Sequence, residues 1–129
     1  MPDRTYELHG VQVFECAAEG PPPRTGSDDV ELISAACAHR AGLIVIPAER
    51  LGDDFFRLKT RIAGEVIQKM VTYRLRLAIL GDITRQVSES SALRDFVYEC
   101  NRGTQVWFVA NIAELERQLL RHPQEAEIG

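Results

Sequence analysis

The sequence predicts an α/β domain with a single mixed, largely parallel sheet of about five strands and about four helices. Short apolar runs, typical of buried strands, alternate along the chain with longer segments whose apolar residues recur at helical spacing. Near its start the chain also has two short stretches of alternating character around His9-Gly10, which is typical of a β-hairpin. The element order β-β-α-β-α-β-α-β-α therefore predicts a sheet whose strands are parallel except in the opening hairpin.

Composition and charge fit a folded domain without a strongly charged surface. The 129 residues are 45% hydrophobic and 26% charged, and the net charge is -4 at pH 7. This balance is ordinary for a globular domain and provides no general attraction to nucleic acid or anionic lipid. No apolar run approaches the roughly 20 residues of a membrane-spanning helix, and the N-terminus does not resemble a signal peptide. We therefore expect one domain over residues 1–129, located in the cytoplasm, with neither nucleic acid nor membrane as a partner.

The first part of the chain is predicted to contain the hairpin, one helix and one strand. The hairpin is expected within residues 6–16. Asp28 and Glu31 form a capping box that begins a helix, and Gly42 ends that helix. The run Leu43-Ile44-Val45-Ile46 is typical of a strand that is buried on both faces, and a proline ends it.

The longest periodic segment predicts one helix from Asp53 or Asp54 to about Thr72, with a broad apolar stripe that packs against the sheet. Lys59 falls near the centre of this stripe, where an unpaired ammonium group would cost several kcal/mol. One interpretation is that the first turn is irregular, or that the lysine stem follows the core and its charged end reaches water. The other is that Lys59 pairs with Asp82 in a buried ion pair or contributes to an anion site.

The remaining residues predict two strands and two helices. Capping side chains and helix-ending residues set their bounds. In chain order these elements are a strand from Leu75 to Leu80, a helix that Ser90 or Ser91 caps and Gly103 ends, a strand from Gln105 to Ala110, and a helix that the Asn111 and Glu114 capping box begins and Pro123 ends.

From Ile44 onward the chain resembles a bacterial family known as domain of unknown function 4180. Six segments carry the resemblance, namely residues 46–51, 55–60, 63–69, 73–74, 78–82 and 94–103. The chain has Arg61 and Thr72 where that family has glycine and asparagine. The resemblance implies membership of the family and assigns no activity.

The order of elements also resembles the sulfate-transporter and anti-sigma-factor-antagonist (STAS) domain, a bacterial regulatory module. This resemblance rests on topology, and it implies a module that binds protein partners or small anions. Modules of this type that act as switches carry a phosphorylatable serine where a strand meets its long following helix. Residues 47–54 of this chain contain neither serine nor threonine, so no such phospho-switch is expected.

Four charged residues are candidates for a site at the carboxyl ends of the parallel strands. Open parallel sheets place ligands at this edge, because helix starts and strand ends lie on the same side. Glu49 and Asp53 follow the first buried strand, Asp82 follows the next, and Lys59 is the unexplained lysine of the long helix. We expect these four residues to form the ligand site if the protein has one.

Four further residues are candidates for a partner surface. Glu65 and Lys69 lie toward the outer face of the predicted long helix, although residues four apart on a solvated face usually form only weak surface pairs. Asn101 and Arg102 stand at a helix end where the glycine cap already accounts for most of the pattern.

Indications of enzyme chemistry are weak. The three histidines lie far apart, and the phosphate-loop, dinucleotide-binding and nucleophile-elbow motifs are absent from the sequence. Cys16, Cys37 and Cys100 are an odd number without a C-x-x-C pair, so we expect reduced, buried thiols rather than a disulfide framework.

These observations predict a non-enzymatic regulatory or binding module of the bacterial cytoplasm that acts through contacts with a protein partner. No cofactor and no metal ion are expected. The alternative is a protein that binds a small ligand or anion, or an undetected enzyme, with its site at the strand carboxyl ends. A homodimer is compatible with both readings.

Overall fold

A five-stranded sheet forms the centre of the protein, in a computed structural model that describes residues 3–20, 22 and 27–122 but not the side chains of residues 27–29. The strand order is β1-β2-β3-β4-β5, and only β1 and β2 are antiparallel. The strands are β1 (Arg4–Leu8), β2 (Val11–Glu15), β3 (Leu43–Pro47), β4 (Arg76–Leu80) and β5 (Val106–Val109). This confirms the predicted mixed, largely parallel sheet that opens with a hairpin.

The described residues contain six α-helices, compared with the four or so that the sequence predicts. The difference arises because the predicted long helix is divided and because a short helix follows β4. No helix in this part of the chain is long and apolar enough to cross a membrane. The helices are α1 (Ser27–Ala38), α2 (Ala48–Phe56), α3 (Ile62–Thr72), α4 (Thr84–Glu89), α5 (Ser91–Arg102) and α6 (Ile112–Arg121), with a 3₁₀ turn at Leu58–Thr60.

The hairpin turns through two residues in the left-handed region. His9 has φ of 48° and Gly10 has φ of 82°, so Leu8 and Val11 lie directly opposite each other. Two consecutive positive φ angles are what a type I′ turn requires, and its twist matches that of the flanking strands. Glycine at the second position adopts this conformation without the strain that a Cβ would add.

The two faces of the sheet are covered by different numbers of helices. Alternate residues such as Ile44 and Ile46 pack with apolar residues of α1, α2, α3 and α5, whereas Leu43 and Val45 pack in a second cluster with Leu115 of α6. The strand order never reverses, so right-handed crossovers carry all the connecting helices to one side. The final helix α6 alone covers the opposite face among the described residues.

Two predicted helix caps are present as hydrogen bonds. The hydroxyl of Ser90 accepts a bond from the Leu93 N–H at 3.1 Å, and Asn111 Oδ1 accepts one from the Glu114 N–H at 2.9 Å. These side chains satisfy N–H groups that have no partner within the first turn of a helix. The predicted cap depends on the Asp28 side chain, which the structure does not describe, and the predicted helix stop at Pro123 lies outside the described residues.

The single helix predicted from residue 53 or 54 to about 72 is wrong. Helix α2 begins directly after β3, bends at Gly52 (φ 74°, ψ 169°) and ends at Phe56, before Arg57, whose backbone is extended. The Thr60 hydroxyl lies 2.8 Å from the carbonyl oxygens of both Asp54 and Arg57, and Arg61 ends the 3₁₀ turn with a φ of 66°. The apolar spacing continues across this break because the segments on both sides face the same sheet, so periodicity alone does not reveal it.

Candidate functional site

Two adjoining depressions form a groove at the carboxyl edge of the parallel strands. One has a volume of about 570 Å³ and lies between the α2 and 3₁₀ segments on one side and α4 on the other. The second has a volume of about 450 Å³ and reaches the end of β4. The two share four lining residues, so we treat them as one surface and call it the strand-end groove. Its lining residues are Ala48, Glu49, Gly52, Asp53, Phe56, Arg57, Leu58, Lys59, Leu80, Gly81, Asp82, Arg85, Gln86, Glu89, Ser90 and Ala92.

The structure brings four of the candidate residues to this groove. Glu49 and Asp53 project from α2, Lys59 lies in the 3₁₀ turn, and Asp82 follows β4. They meet because β3 and β4 are parallel neighbours, which places the segments after both strands on one side of the sheet.

Lys59 and Asp82 do not form the buried ion pair that was one of the two interpretations of this lysine. Lys59 is exposed, and it has no ion pair within the part of the chain that the structure describes. Asp82 is also exposed, and its carboxylate accepts hydrogen bonds from the Thr84 N–H, at 2.9 Å, and from the Thr84 hydroxyl. These bonds lower the pKa of the Asp82 carboxyl group. The ion-pair interpretation is therefore wrong. The other interpretation, an irregular segment at this lysine, agrees with the structure, because the break before α3 moves Lys59 out of the apolar stripe and into water.

Arg85 links the two sides of the groove and was missed by the sequence analysis. Its Nη2 atom lies 3.1 Å from Asp53 Oδ1, and its Nη1 atom lies 3.2 Å from Glu89 Oε1. All three side chains are more than 60% exposed, so these pairs contribute little to stability. No pattern predicted α4, and without that helix the sequence did not indicate that Arg85 faces α2.

An apolar floor lies beneath this charged rim. Phe56 is 5% exposed, and its ring contacts Phe55 edge-on, with the ring centroids 5.3 Å apart. Leu58 is partly buried against the same core. The groove therefore combines an apolar base with charges of both signs at its margin.

The order of the strands does not create a deep crevice at the strand-end groove. Doubly wound folds bind ligands where the strand order reverses and neighbouring helices diverge to opposite faces. Here the order runs in sequence from β1 to β5, and the helices that follow β3 and β4 pack on the same face. Within the described ranges, no three His, Cys, Asp or Glu side chains are grouped as metal ligands.

The other four candidate residues lie away from the strand-end groove. Glu65 and Lys69 belong to α3, and neither lines the groove. Glu65 is exposed, and Lys69 is partly exposed. Arg102 is exposed on α5, where its guanidinium group lies 5.6 Å from the centre of the Tyr98 ring.

The side chain of Asn101 has a structural role that its local sequence did not indicate. Its Oδ1 atom accepts a hydrogen bond from the Phe108 N–H at 2.7 Å, and its Nδ2 atom donates one to the Phe108 carbonyl oxygen at 3.2 Å. Next to it, the Trp107 Nε1–H donates to the carbonyl oxygen of Gly103 at 2.9 Å. The end of α5 is thereby fastened to β5, which accounts for Asn101. Gly103 has a φ of -90°, so the interpretation of this glycine as a left-handed helix cap is wrong.

A half-buried arginine at the amino-terminal end of β4, opposite the strand-end groove, was also missed. Arg76 Nη1 donates to the His122 carbonyl oxygen at 2.9 Å, at the end of α6, and its guanidinium group lies 5.2 Å from the centre of the Trp107 ring. Burial lowers the pKa of Arg76, and its Nη2 atom is buried without a hydrogen-bond partner. A cation near the carboxyl end of a helix interacts favourably with the helix dipole. Arg76 therefore has a structural function.

The cysteines are free thiols, but the expectation that all three are buried is wrong for Cys37, which is exposed. Cys16 is buried, and burial raises the pKa of its thiol to about 12. Cys100 is partly buried, and burial is also the main cause that raises the pKa of its thiol to about 11. Raised thiol pKa values oppose formation of the nucleophilic thiolate, so neither residue has the surroundings of a reactive cysteine.

Comparison with known proteins identifies a family but no activity. The family model described as "Domain of unknown function (DUF4180)" matches residues 8–119. No curated protein and no solved structure matches the chain, so the likeness to the STAS domain stays a resemblance in element order. The matched residues extend from the end of β1 into α6 and make up most of the sequence. The chain therefore belongs to the DUF4180 family.

Proposed function

We propose that the protein is a non-enzymatic regulatory or binding module of the bacterial cytoplasm that binds a protein partner at the strand-end groove. The observation that carries this proposal is the composition of the groove, in which buried Phe56 lies beneath a rim formed by Asp53, Lys59, Arg85 and Glu89. Protein interfaces commonly combine an apolar centre with a polar, solvent-accessible margin.

The shape of the groove also favours a partner over a small substrate. Small-molecule sites enclose most of their ligand in a concave, mostly apolar pocket. The strand-end groove is half-open to solvent, and exposed charged side chains form much of its lining. The unbroken strand order provides no crevice that would deepen it.

A small anion is a second candidate occupant, and one observation favours it. Lys59 lines the groove, is exposed and makes no ion pair among the described residues. The other two cations of the lining, Arg57 and Arg85, face carboxylates of Asp54 and of Asp53 and Glu89. An exposed lysine beside two paired arginines leaves one positive charge available to an anion.

Charge reversal within the groove tests the proposal. Lys59→Glu changes the charge of the groove by two units, and Arg117→Glu makes the same change on the exposed side of α6, which covers the opposite face of the sheet. A partner isolated from a bacterial host with the unmodified protein is purified, and its affinity for each variant is measured by calorimetry. We expect Lys59→Glu to weaken binding about tenfold or more, and Arg117→Glu to leave it within about twofold.

The outcomes separate the two occupants. A partner that binds Lys59→Glu as tightly as the unmodified protein contradicts binding at the groove. Titration with inorganic phosphate, followed by NMR, tests the anion. Saturable shifts confined to the groove that disappear in Lys59→Glu, together with failure to isolate a partner, would replace the proposal with the anion-binding function.

A further inference from the structure

The two edge strands of the sheet, β1 and β5, differ in whether their outward backbone groups are hydrogen bonded. At the β5 edge, the Asn101 amide occupies both the N–H and the carbonyl group of Phe108. A side chain there occupies the outward backbone groups of Phe108, through which another strand would pair. At the β1 edge, by contrast, the backbone of residues 4–8 forms no hydrogen bond to any described residue outside its ladder with β2.

The hairpin register identifies which groups of β1 are free. In a hairpin closed by two residues, the flanking pair exchanges both backbone hydrogen bonds, and such pairs then alternate along the ladder. The pairs Leu8–Val11, Tyr6–Val13 and Arg4–Glu15 are therefore hydrogen bonded. It follows that the N–H and C=O groups of Thr5 and Glu7 point away from the sheet.

Strand β1 is short and carries the charged residues Arg4 and Glu7, but among the described residues it lacks the other features by which proteins usually prevent strand pairing. Edge strands are commonly protected by proline, lysine, a bulge or a covering segment. Residues 4–8 contain neither proline nor lysine, and their register with β2 is continuous. The side chains of Thr5 and Glu7 are exposed.

We propose that β1 pairs antiparallel with β1 of a second copy of this chain, so that the two sheets join across a twofold axis. The register sets Tyr6 opposite Tyr6 of the second copy and Thr5 opposite its Glu7. In this register all the outward N–H and C=O groups of Thr5 and Glu7 find partners, which gives four hydrogen bonds between backbones.

Side-chain chemistry selects this register and makes the edge self-complementary. Pairing Glu7 with Glu7 would place two carboxylates directly opposite each other, which is unfavourable in an antiparallel pair. Pairing Thr5 with Glu7 instead brings a hydroxyl donor to each carboxylate. An antiparallel pair of identical strands has twofold symmetry, so each contact occurs twice and the assembly is closed. Because β1 has only five residues, we expect a small interface and a dimer that depends on concentration.

Sedimentation velocity over a concentration series tests the dimer. The unmodified chain is expected to shift from the 14.5 kDa monomer to twice that mass as its concentration rises. Thr5→Pro removes an outward N–H and leaves the ladder with β2 intact, since an edge strand tolerates proline where its N–H faces solvent. We expect Thr5→Pro to remain monomeric and Thr5→Val to dimerise, with circular dichroism confirming that both variants fold.

A charge exchange tests the register. Thr5→Glu places a carboxylate opposite Glu7 twice and is expected to weaken the dimer roughly 2- to 30-fold, whereas Thr5→Lys should strengthen it by a similar factor. Thr104→Glu and Thr104→Lys are the matched controls, because Thr104 is exposed and precedes β5 at the far edge of the sheet. A monomer at all concentrations, a dimer unaffected by Thr5→Pro, or equal effects of the two charges at residue 5 would each overturn the proposal.

Discussion

The side chain of Asn101 binds the backbone of Phe108 as a neighbouring strand would. It accepts from the Phe108 N–H at 2.7 Å and donates to the Phe108 carbonyl oxygen at 3.2 Å. Helix α5 precedes β5 directly in the chain, so this contact also fixes the short connection between them. The same residue joins a third element, because Gln118 Nε2 of α6 donates to the Asn101 carbonyl oxygen at 3.1 Å.

Asn101→Ala is expected to destabilise the protein by about 1–3 kcal/mol. The change leaves the N–H and C=O groups of Phe108 without their partners, and unsatisfied polar groups carry a cost of that order. Urea unfolding at 25 °C measures the effect. Arg102→Ala is the control, since its side chain is 66% exposed, and we expect a change within about 0.5 kcal/mol. Equal stability of the two variants would show that Asn101 has no structural role.

Substitutions at Lys59 and Asp82 are expected to act independently. The two side chains are exposed, and Asp82 is bonded to Thr84 rather than to the lysine. Lys59→Met should change the free energy of unfolding by no more than about 0.5 kcal/mol. In a double-mutant cycle with Asp82→Asn, the effects should add within the error of urea titration. Measurable coupling would restore the ion pair that the sequence suggested.

Two glycine-to-alanine changes are expected to have opposite signs. Gly81 has φ of 142°, and an added Cβ would lie 3.1 Å from Ala48 Cβ, so Gly81→Ala should cost about 1–3 kcal/mol. Gly64 lies inside α3, and a Cβ there meets nothing within 4 Å, so Gly64→Ala should stabilise by about 0.5–1 kcal/mol. Thermal and urea unfolding check both values. A stabilising Gly81→Ala would contradict the close approach of the β4 end to α2.

Stability is expected to fall at alkaline pH in part through Cys16. Burial raises the pKa of this thiol from 9.0 to about 12, so its contribution is fully present below pH 9 and is lost as the pH rises toward 12. The loss is on the order of 1 kcal/mol per pH unit within that window. The free energy of unfolding is measured with urea at pH 8 and pH 10. At pH 8, Cys16→Ala should be less stable than the unmodified protein, but between pH 8 and pH 10 its stability should fall by less. An unchanged pH dependence would mean that the thiol ionises as easily in the folded state as in the unfolded state.

The sequence alone determined the kinds of elements and most of their order. The apolar run at Leu43–Ile46 predicted a doubly buried strand, and the Asn111 and Glu114 pair predicted a helix start that the structure places at the same residues. These signals are local, because a strand buried on both faces needs continuous apolar residues and a helix start needs a side-chain acceptor within its first turn. Parallel pairing then brought Glu49, Asp53 and Asp82 to one side of the sheet, as expected for segments that follow parallel strands.

Only the tertiary structure decided where the helix breaks and what several polar side chains contact. Apolar periodicity continues through Lys59 because both flanking segments face one sheet, so the break depended on backbone conformation at Arg57 and Arg61. From the sequence, Asn101 is simply a polar residue at a helix end, and its contact with β5 is known only from the structure. The pairing of Arg85 with Asp53 likewise depends on α4 lying close to α2. Periodicity records which residues are buried, whereas these contacts depend on how separate elements lie in space. For this reason, the sequence outlined the fold but not the pairing of the charges in the groove or the difference between the two sheet edges.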